Sequence, residues 1–216
     1  MMKPGWLISP QQLVDPIISC DLDSLSLMSL SILTIHAHPD DESSKGPGTI
    51  KLYRSQGIQS TLVCCTGGEA GDILNPAMDR DEVKNNLEEV RRAELEKAAS
   101  IIGYNEVVML GYRDSGMPET EPNSHPDAFA NADLDSAVGR LVAIIRRVRP
   151  QVIVTYPEIQ NRYPHPDHLQ VTAISLPAFD RAGDPEWYPE AGDPYEPLKL
   201  YAPVWSKKRI LLTHQA

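Results

Sequence analysis

The chain has 216 residues, of which 41% are hydrophobic and 23% are charged, a composition typical of globular proteins. A chain of this length fits one domain, because single hydrophobic cores grow beyond this size before they split. The formal net charge of −10 argues against a nucleic-acid partner, since such proteins need a basic surface to neutralise phosphates. No apolar run reaches the roughly 18 residues of a membrane-spanning helix, so we expect no membrane span.

Cysteine usage restricts the kinds of site that the chain can build. The cysteines are Cys20, Cys64 and Cys65, an odd number with two of them adjacent in an apolar run. This pattern does not resemble a disulfide framework and predicts buried, reduced thiols in a cytoplasmic protein. The C-x-x-C spacing of a thiolate zinc site is absent, so a metal site would use histidine and carboxylate ligands.

Residues 1–30 carry no pattern that predicts a function. They contain three aspartates and a single lysine, which is unlike the basic start of a secretory signal peptide. We expect an N-terminal extension of unknown role over residues 1–30, followed by one domain over residues 31–216.

Short apolar runs and helical patterns alternate from residue 32 onward. Four runs are rich in β-branched residues and end in polar residues, as buried parallel strands do. They lie at 32–35, 60–66, 107–110 and 152–155. Apolar residues at helical spacing predict helices over 48–55 and 82–102, and a third that begins with Asp133 as its N-cap. The alternation predicts an α/β domain of three layers, with a mainly parallel sheet between helices.

Two of the predicted helices have a clear apolar side. The inward residues of the helix at 82–102 are expected to be Val83, Leu87, Val90, Leu95, Ala98 and Ile102. Those of the helix after Asp133 are expected to be Leu134, Val138, Leu141, Ile144, Ile145 and Val148. Residues 181–197 are rich in proline and turn-forming residues and predict a loop.

Polar side chains gather where the predicted strands end. The first strand runs into 36–42 (HAHPDDE), the second into 67–69 and the third into 112–114. The fourth runs into Tyr156 and then 165–168 (HPDH). Because the carboxyl ends of parallel strands form the ligand crevice of such sheets, we expect these side chains on one rim. A nucleotide-binding Rossmann protein is disfavoured, since no G-x-G-x-x-G follows the first strand.

The two histidine–aspartate segments predict a catalytic metal site. Catalytic zinc takes three histidine or carboxylate ligands and keeps one position open for water. His38, Asp41 and His168 can supply such a set, provided that the fold brings the two segments together. Zn²⁺ would lower the pKa of its water and polarise an amide carbonyl. Fe²⁺ also suits these ligands, so the native metal is left open.

Three neighbouring residues have predicted roles in catalysis. Asp40 is the candidate general base, beside a ligand but not needed as one. His165 is the candidate for stabilising the tetrahedral oxyanion or protonating the departing amine. Asp167 can hydrogen-bond a histidine and fix its tautomer. Either segment alone could instead be a helix N-cap, but two such segments at strand ends favour the metal site.

The segments 38–42 (HPDDE) and 165–168 (HPDH) together resemble the paired signature of the PIG-L (LmbE-like) zinc de-N-acetylases. The resemblance runs from residue 30 to the end of the chain and implies a Rossmann-like fold. It also implies the metal ligands, the base and the intermediate-stabilising histidine already named. The family includes deacetylases of N-acetylglucosaminyl-phosphatidylinositol and of N-acetylglucosaminyl-inositol, and related amidases.

The resemblance also implies roles for residues outside the two motifs. Tyr163 would assist at the oxyanion, and Arg91 and Asp114 would contact the sugar. Lys45 is a candidate for distinguishing larger amide substrates. Glu69 is a candidate substrate-site residue, with an ordinary turn as the alternative. From its position on a charged helix, Arg91 could also be solvated or paired with a glutamate.

Within the family, 36–46 (HAHPDDESSKG), 65–69 (CTGGE) and 73–76 (ILNP) resemble the amidases of mycothiol S-conjugates. That resemblance implies a small-molecule amino-sugar conjugate as substrate. Its amide would be hydrolysed to a mercapturate and glucosaminyl-inositol, in thiol-dependent detoxification. The alternative is the deacetylase of N-acetylglucosaminyl-inositol in mycothiol biosynthesis, which uses the same chemistry on a smaller acyl group. An oligomer is compatible with the sequence.

Two departures from the family pattern support a third hypothesis, a truncated and inactive metal-binding homologue. The mycothiol enzymes of the family are usually longer at the C-terminus, whereas this chain ends at Ala216, soon after a strand-like run at 209–212. The segment 159–164 also lacks the expected glycine-rich character. Asp40 and His165 favour an enzyme, because metal binding alone needs neither.

Overall fold

The computed structural model describes residues 30–158, 160 and 164–204. Its strands are β1 (Ser31–His36), β2 (Gln59–Thr66), β3 (Glu106–Tyr112), β4 (Val152–Val154) and β5 (Lys199–Tyr201). Its α-helices are α1 (Asp41–Ser44), α2 (Pro47–Ser55), α3 (Asp81–Lys84), α4 (Leu87–Ile102), α5 (Glu121–Ser124), α6 (Leu134–Val148) and α7 (Pro166–Arg181). Residues 1–29 of the predicted extension and the strand-like run at 209–212 lie outside the described residues.

The strands form one parallel sheet in the order β3-β2-β1-β4-β5. The predicted α/β fold with a parallel sheet between helices is therefore confirmed. The direction of the strand order reverses between β1 and β4, and ligands of such sheets bind beyond the carboxyl ends at this point. Both histidine–aspartate segments follow these two strands. None of the described helices is long and apolar enough to span a bilayer.

Apolar packing on both faces of the sheet holds the strand ends in place. On one face, Leu33 and Ile35 of β1 form a buried cluster with Leu141 and Ile145 of α6. On the other face, Leu95 of α4 belongs to a separate buried cluster with residues of β2. Successive side chains of a strand point to opposite faces, which explains how a single strand supplies both clusters. Cys64 and Cys65 are buried by the same alternation, as predicted.

The single helix predicted over 82–102 is wrong, because the structure has two helices there. α3 and α4 are separated by Asn85 and Asn86. Asn86 has φ −132° and ψ 33°, outside the helical region, and its side-chain amide donates to the carbonyl of Glu82 at 2.9 Å. Asparagine competes with helix hydrogen bonds in this way, which periodicity of apolar residues does not reveal.

Seven of the twelve predicted inward residues are buried, and Ala98 and Val148 are partly buried. The buried ones are Val83, Leu95, Ile102, Val138, Leu141, Ile144 and Ile145. Leu87 and Val90 are partly exposed and line a groove instead of the core. Leu134 is 47% exposed. It opens α6, so it lies at the helix end rather than over the middle of the sheet.

The proline-rich segment 181–197 is mainly irregular, as predicted, with one 3-10 turn at Pro189–Ala191. The buried side chain of Arg146 in α6 holds this segment in place. Its guanidinium donates to the backbone carbonyls of Arg181, Ala182, Asp184, Trp187, Tyr188 and Gly192. The segment then leads into β5, whose three residues were too few to predict from the sequence.

Candidate metal centre

Two loops meet beyond the carboxyl ends of β1 and β4. The loop after β1 turns into α1 at Asp40, whose φ of 108° and ψ of −28° are unusual for a residue other than glycine. The backbone N–H of Asp40 donates to Oε2 of the buried Glu42 at 2.8 Å, which stabilises this turn. As a result the Asp41 side chain points inward and is 4% exposed, while that of Asp40 is 73% exposed. The loop after β4 leads to α7, whose N-cap is His165.

His38, Asp41 and His168 form a buried set of three ligands, with ligand atoms within 4.8 Å of one another. Oδ2 of Asp41 lies 3.7 Å from Nδ1 of His38 and 3.4 Å from Nε2 of His168. Ligand atoms bound to tetrahedral zinc at about 2.0–2.2 Å are roughly 3.3–3.6 Å apart. These two separations are close to those of a tetrahedral zinc site, so the three side chains are candidate ligands of a divalent ion.

The second ring nitrogen of His38 is held by a buried carboxylate. Nε2 lies 3.0 Å from Oδ2 of Asp167, which is completely buried. Asp167 also accepts hydrogen bonds from the hydroxyl of Ser115 and, at 3.0 Å, from its N–H. Burial lowers the pKa of His38, but the carboxylates of Asp114 and Asp167 outweigh it and raise this pKa to about 9. With Nε2 engaged, Nδ1 is the nitrogen directed at Asp41 for metal binding.

Two further side chains contact the carboxylate of Asp41. The hydroxyl of Tyr156 donates to Oδ2, and it accepts the N–H of Ala37 at 3.1 Å. The ammonium of Lys45 pairs with Oδ1. Burial raises the pKa of Asp41, but His168 and Lys45 outweigh it and hold this pKa well below its usual range. Asp41 is thus ionised, as a metal ligand must be.

Arg91 connects α4 to the loop after β1. Its guanidinium donates to the carbonyl of Gly68 at 2.6 Å, to the carbonyl of Pro39, and to Oδ2 of Asp40 at 2.7 Å. Gly68 has φ +72°, which favours glycine, and a Cβ there would displace the guanidinium from its present position. Desolvation raises the pKa of Asp40, and the negative charge of Asp41 raises it further, although the positive charge of Arg91 acts in the opposite direction. Arg91 therefore orients the Asp40 carboxylate at the rim of the site.

His165 lies across from His38, with ring centroids 4.6 Å apart. Its Nδ1 accepts the N–H of Asp167 at 3.2 Å, so the proton of the neutral ring is on Nε2. Burial and the charge of His38 lower the pKa of His165 to about 4. His38, Asp114 and His165 form a second set of three grouped ligand atoms. In that set Nε2 of His38 faces Asp114, at 3.6 Å. The same nitrogen already contacts Asp167.

Asp114 and Glu69 shape the wall on the β3 side. Oδ1 of Asp114 accepts the N–H of Gly116 at 2.8 Å, and Oδ2 accepts that of Ala70 at 3.3 Å. Glu69 lies behind this wall and lines a second cavity, while its Oε1 accepts the N–H of Asp114 at 2.9 Å. Glu69 thus contacts the loop that carries Asp114, and Asp114 itself lines the groove at the metal centre.

Tyr156 was expected on the rim from the sequence but had no predicted role, and Ser115 was not predicted at all. The ring of Tyr156 stacks on that of His168, with centroids 4.5 Å apart and planes 15° apart. Its position directly after β4, where the strand order reverses, was the signal that could have assigned it. Ser115 had no sequence signal, because its role depends on contact with a residue 52 positions away. Tyr163 lies outside the described residues.

A family model described as "PIG-L: GlcNAc-PI de-N-acetylase" matches residues 33–179, which include both histidine–aspartate segments. The chain belongs to the PIG-L family. It is 48% identical over 177 residues to mycothiol S-conjugate amidase of Streptomyces coelicolor, a match that covers 80% of this chain and 60% of the relative. It is 43% identical over 179 residues to 1D-myo-inositol 2-acetamido-2-deoxy-alpha-D-glucopyranoside deacetylase of Geodermatophilus obscurus, with 80% and 60% covered.

The fold of this PIG-L chain is also found in solved structures. N,N'-diacetylchitobiose deacetylase from Pyrococcus horikoshii has a TM-score of 0.64 and 21% identity, over 90% of this chain and 70% of that one. At this identity the similarity supports the fold alone. The chain spans about 60% of the length of the two curated relatives. The family membership predicted from the two motifs is confirmed, and the named relatives are hydrolases of amides.

Proposed function

We propose that this chain hydrolyses the amide of mycothiol S-conjugates in a metal-dependent reaction, releasing a mercapturate and glucosaminyl-inositol. The assignment as an amide hydrolase rests on the buried ligand set of His38, Asp41 and His168, with the carboxylate of Asp40 beside it. Similarity to an amidase of this substrate class supports the choice of amide. The donor set suits Zn²⁺, and Fe²⁺ is the other ion to test.

The residues of the site have complementary roles in this proposal. A bound divalent ion supplies Lewis acidity for the amide carbonyl and lowers the pKa of water. Asp40, oriented by Arg91, accepts the proton of the attacking water as the new C–O bond forms. His165 presents the proton on Nε2 to the developing oxyanion. When the C–N bond breaks, the departing glucosamine nitrogen takes up the proton that left the water.

Deacetylation of N-acetylglucosaminyl-inositol is the second candidate. Relatives named as the deacetylase are 43% identical to this chain, and the chemistry of the site is the same for an acetyl group. The two candidates differ in the size of the acyl group, so the relative rates on the two substrates decide between them.

The test is hydrolysis of a bimane conjugate of mycothiol and of N-acetylglucosaminyl-inositol by zinc-loaded protein. Asp40→Asn and metal-stripped protein should lose activity, whereas Asp180→Asn, a matched change at an exposed position, should retain it. A higher kcat/KM on the conjugate supports the amidase, and a reversed preference supports the deacetylase. Stoichiometric metal without hydrolysis of either would overturn both and support the inactive homologue.

A further inference from the structure

The groove at the candidate metal centre is lined by both polar and apolar side chains. It has a volume of about 1670 Å³, and its lining includes the histidines and aspartates of the site. Six large apolar side chains also line it. This set, the apolar arm, is formed by Ile73, Leu74, Met78, Val83, Leu87 and Val90.

Part of the arm comes from the N-terminal part of α4, which is less buried than the C-terminal part. Leu95, Ala99 and Ile102, in the C-terminal part of the helix, are buried. Leu87 and Val90, in the N-terminal part, are partly exposed and line the groove. Apolar residues that belonged to the core would be covered by the sheet, whereas these two face a cavity.

The arm is directly connected to the reacting part of the groove. One face of α4 contains Leu87, Val90, Arg91 and Glu94, because the last three follow Leu87 by three, four and seven residues. All four line the groove. Arg91 bonds the carboxylate of Asp40 at 2.7 Å. The apolar surface therefore begins within one helical turn of the residue that orients the proposed base.

The loop between β2 and α3 supplies three further side chains of the arm. Leu74 in this loop is 88% exposed, and Ile73 and Met78 are partly exposed beside it. Several large apolar side chains that line one concave surface mark a binding site more often than scattered exposed ones do. None of the six side chains of the arm carries a charge or a hydrogen-bonding group.

We propose that the apolar arm binds an apolar substituent on the acyl side of the amide substrate, such as the S-linked group of a cysteine conjugate. This inference rests on the proposed amidase function and extends it to substrate selection. The hydroxyl groups of a sugar and an inositol would lose hydrogen bonds against apolar side chains. Those groups belong at the polar lining near Asp114, which leaves the arm for the acyl side. An acetyl group offers only one methyl group for contact with it.

The experiment compares two amides of glucosaminyl-inositol, one acylated with N-acetyl-S-benzylcysteine and one with acetate. The measured quantity is the ratio of their kcat/KM values. Leu74→Ser and Val90→Ser should each lower this ratio about tenfold, because a polar residue in an apolar pocket reduces discrimination by this order. Ile101→Ser is the matched control, since Ile101 is 64% exposed on the same helix but outside the groove. Its ratio should equal that of the unchanged protein.

A second measurement tests the arm independently of catalysis. Calorimetric titration with N-acetyl-S-benzylcysteine alone should give binding that weakens several-fold in Leu74→Ser and Val90→Ser but not in Ile101→Ser. Equal loss in all three variants, or no loss in any, would overturn the inference. If the unchanged protein hydrolyses neither amide, the proposed function fails, and the titration still decides whether the arm takes an apolar group.

Discussion

Nε2 of His38 lies 3.0 Å from Oδ2 of Asp167, and this contact decides which nitrogen of the histidine faces Asp41. Asp167 is in turn held by the N–H and the hydroxyl of Ser115. The loop after β1, the loop after β3 and the start of α7 are thereby joined through one buried carboxylate. The geometry of the proposed metal ligands depends on this link.

Replacement of Asp167 by Asn should therefore weaken metal binding. The amide is uncharged and has one acceptor oxygen in place of two, so it cannot accept from Nε2 of His38, the N–H of Ser115 and the hydroxyl of Ser115 as the two carboxylate oxygens do. Loss of such a partner typically reduces metal affinity about 10–100-fold. Competition with a chelator of known affinity measures the change, and Asp180→Asn is the control. Unchanged affinity in folded Asp167→Asn protein would contradict the prediction.

Arg91→Lys should reduce kcat while leaving metal content and KM nearly unchanged. A lysine ammonium cannot reproduce the planar set of donors that reaches Gly68, Pro39 and Asp40 together. Misplacement of a reacting group by about 1 Å can cost about 100-fold in rate, so we expect a loss of at least about tenfold. Arg92→Lys, at a side chain 61% exposed, is the control. If KM rises instead and kcat is kept, Arg91 is a sugar contact, as the family resemblance implies.

Arg146→Met should destabilise the protein by about 3 kcal/mol, because six carbonyls would lose a charged donor inside a buried site. The neighbouring Arg147 is 54% exposed and pairs with Glu106 at the surface. Arg147→Met should therefore change the free energy of unfolding by less than about 1 kcal/mol. Urea denaturation of both variants gives the comparison. Equal effects would show that the carbonyl contacts of Arg146 add little.

Stability should fall at alkaline pH because of Tyr104, whose hydroxyl lies 2.9 Å from that of Thr34. Burial raises the pKa of Tyr104 to about 12, against about 10 in the unfolded chain. Between these values the unfolded state has lost the proton and the native state keeps it, so the free energy of unfolding decreases as pH rises. By pH 11 this decrease is about 1 kcal/mol. Tyr104→Phe removes the effect, so urea denaturation at pH 9 and pH 11 should show a smaller decrease in the variant. The same decrease in both proteins would assign the loss to other groups.

The sequence alone was sufficient for the fold class and for the family. Apolar runs such as 32–35 reflect burial on both sides of a strand, which is a local property of the chain. The two histidine–aspartate segments were also visible locally, and parallel strands whose carboxyl ends share one edge made their convergence predictable. The helix break at Asn86 was not predicted, since apolar spacing continues across it while the side-chain amide competes for a backbone carbonyl.

Only the tertiary structure decided how the site is supported and where the groove leads. Ser115, Tyr156 and Arg91 act through partners 52, 115 and 51 positions away, and sequence spacing carries no information on such contacts. Leu87 and Val90 have the pattern of core residues, yet they are partly exposed and line the groove. The sequence determined which chemical groups are present, through local patterns of polarity. The packing of helices on the sheet determined which of those groups meet, because contact depends on three-dimensional position.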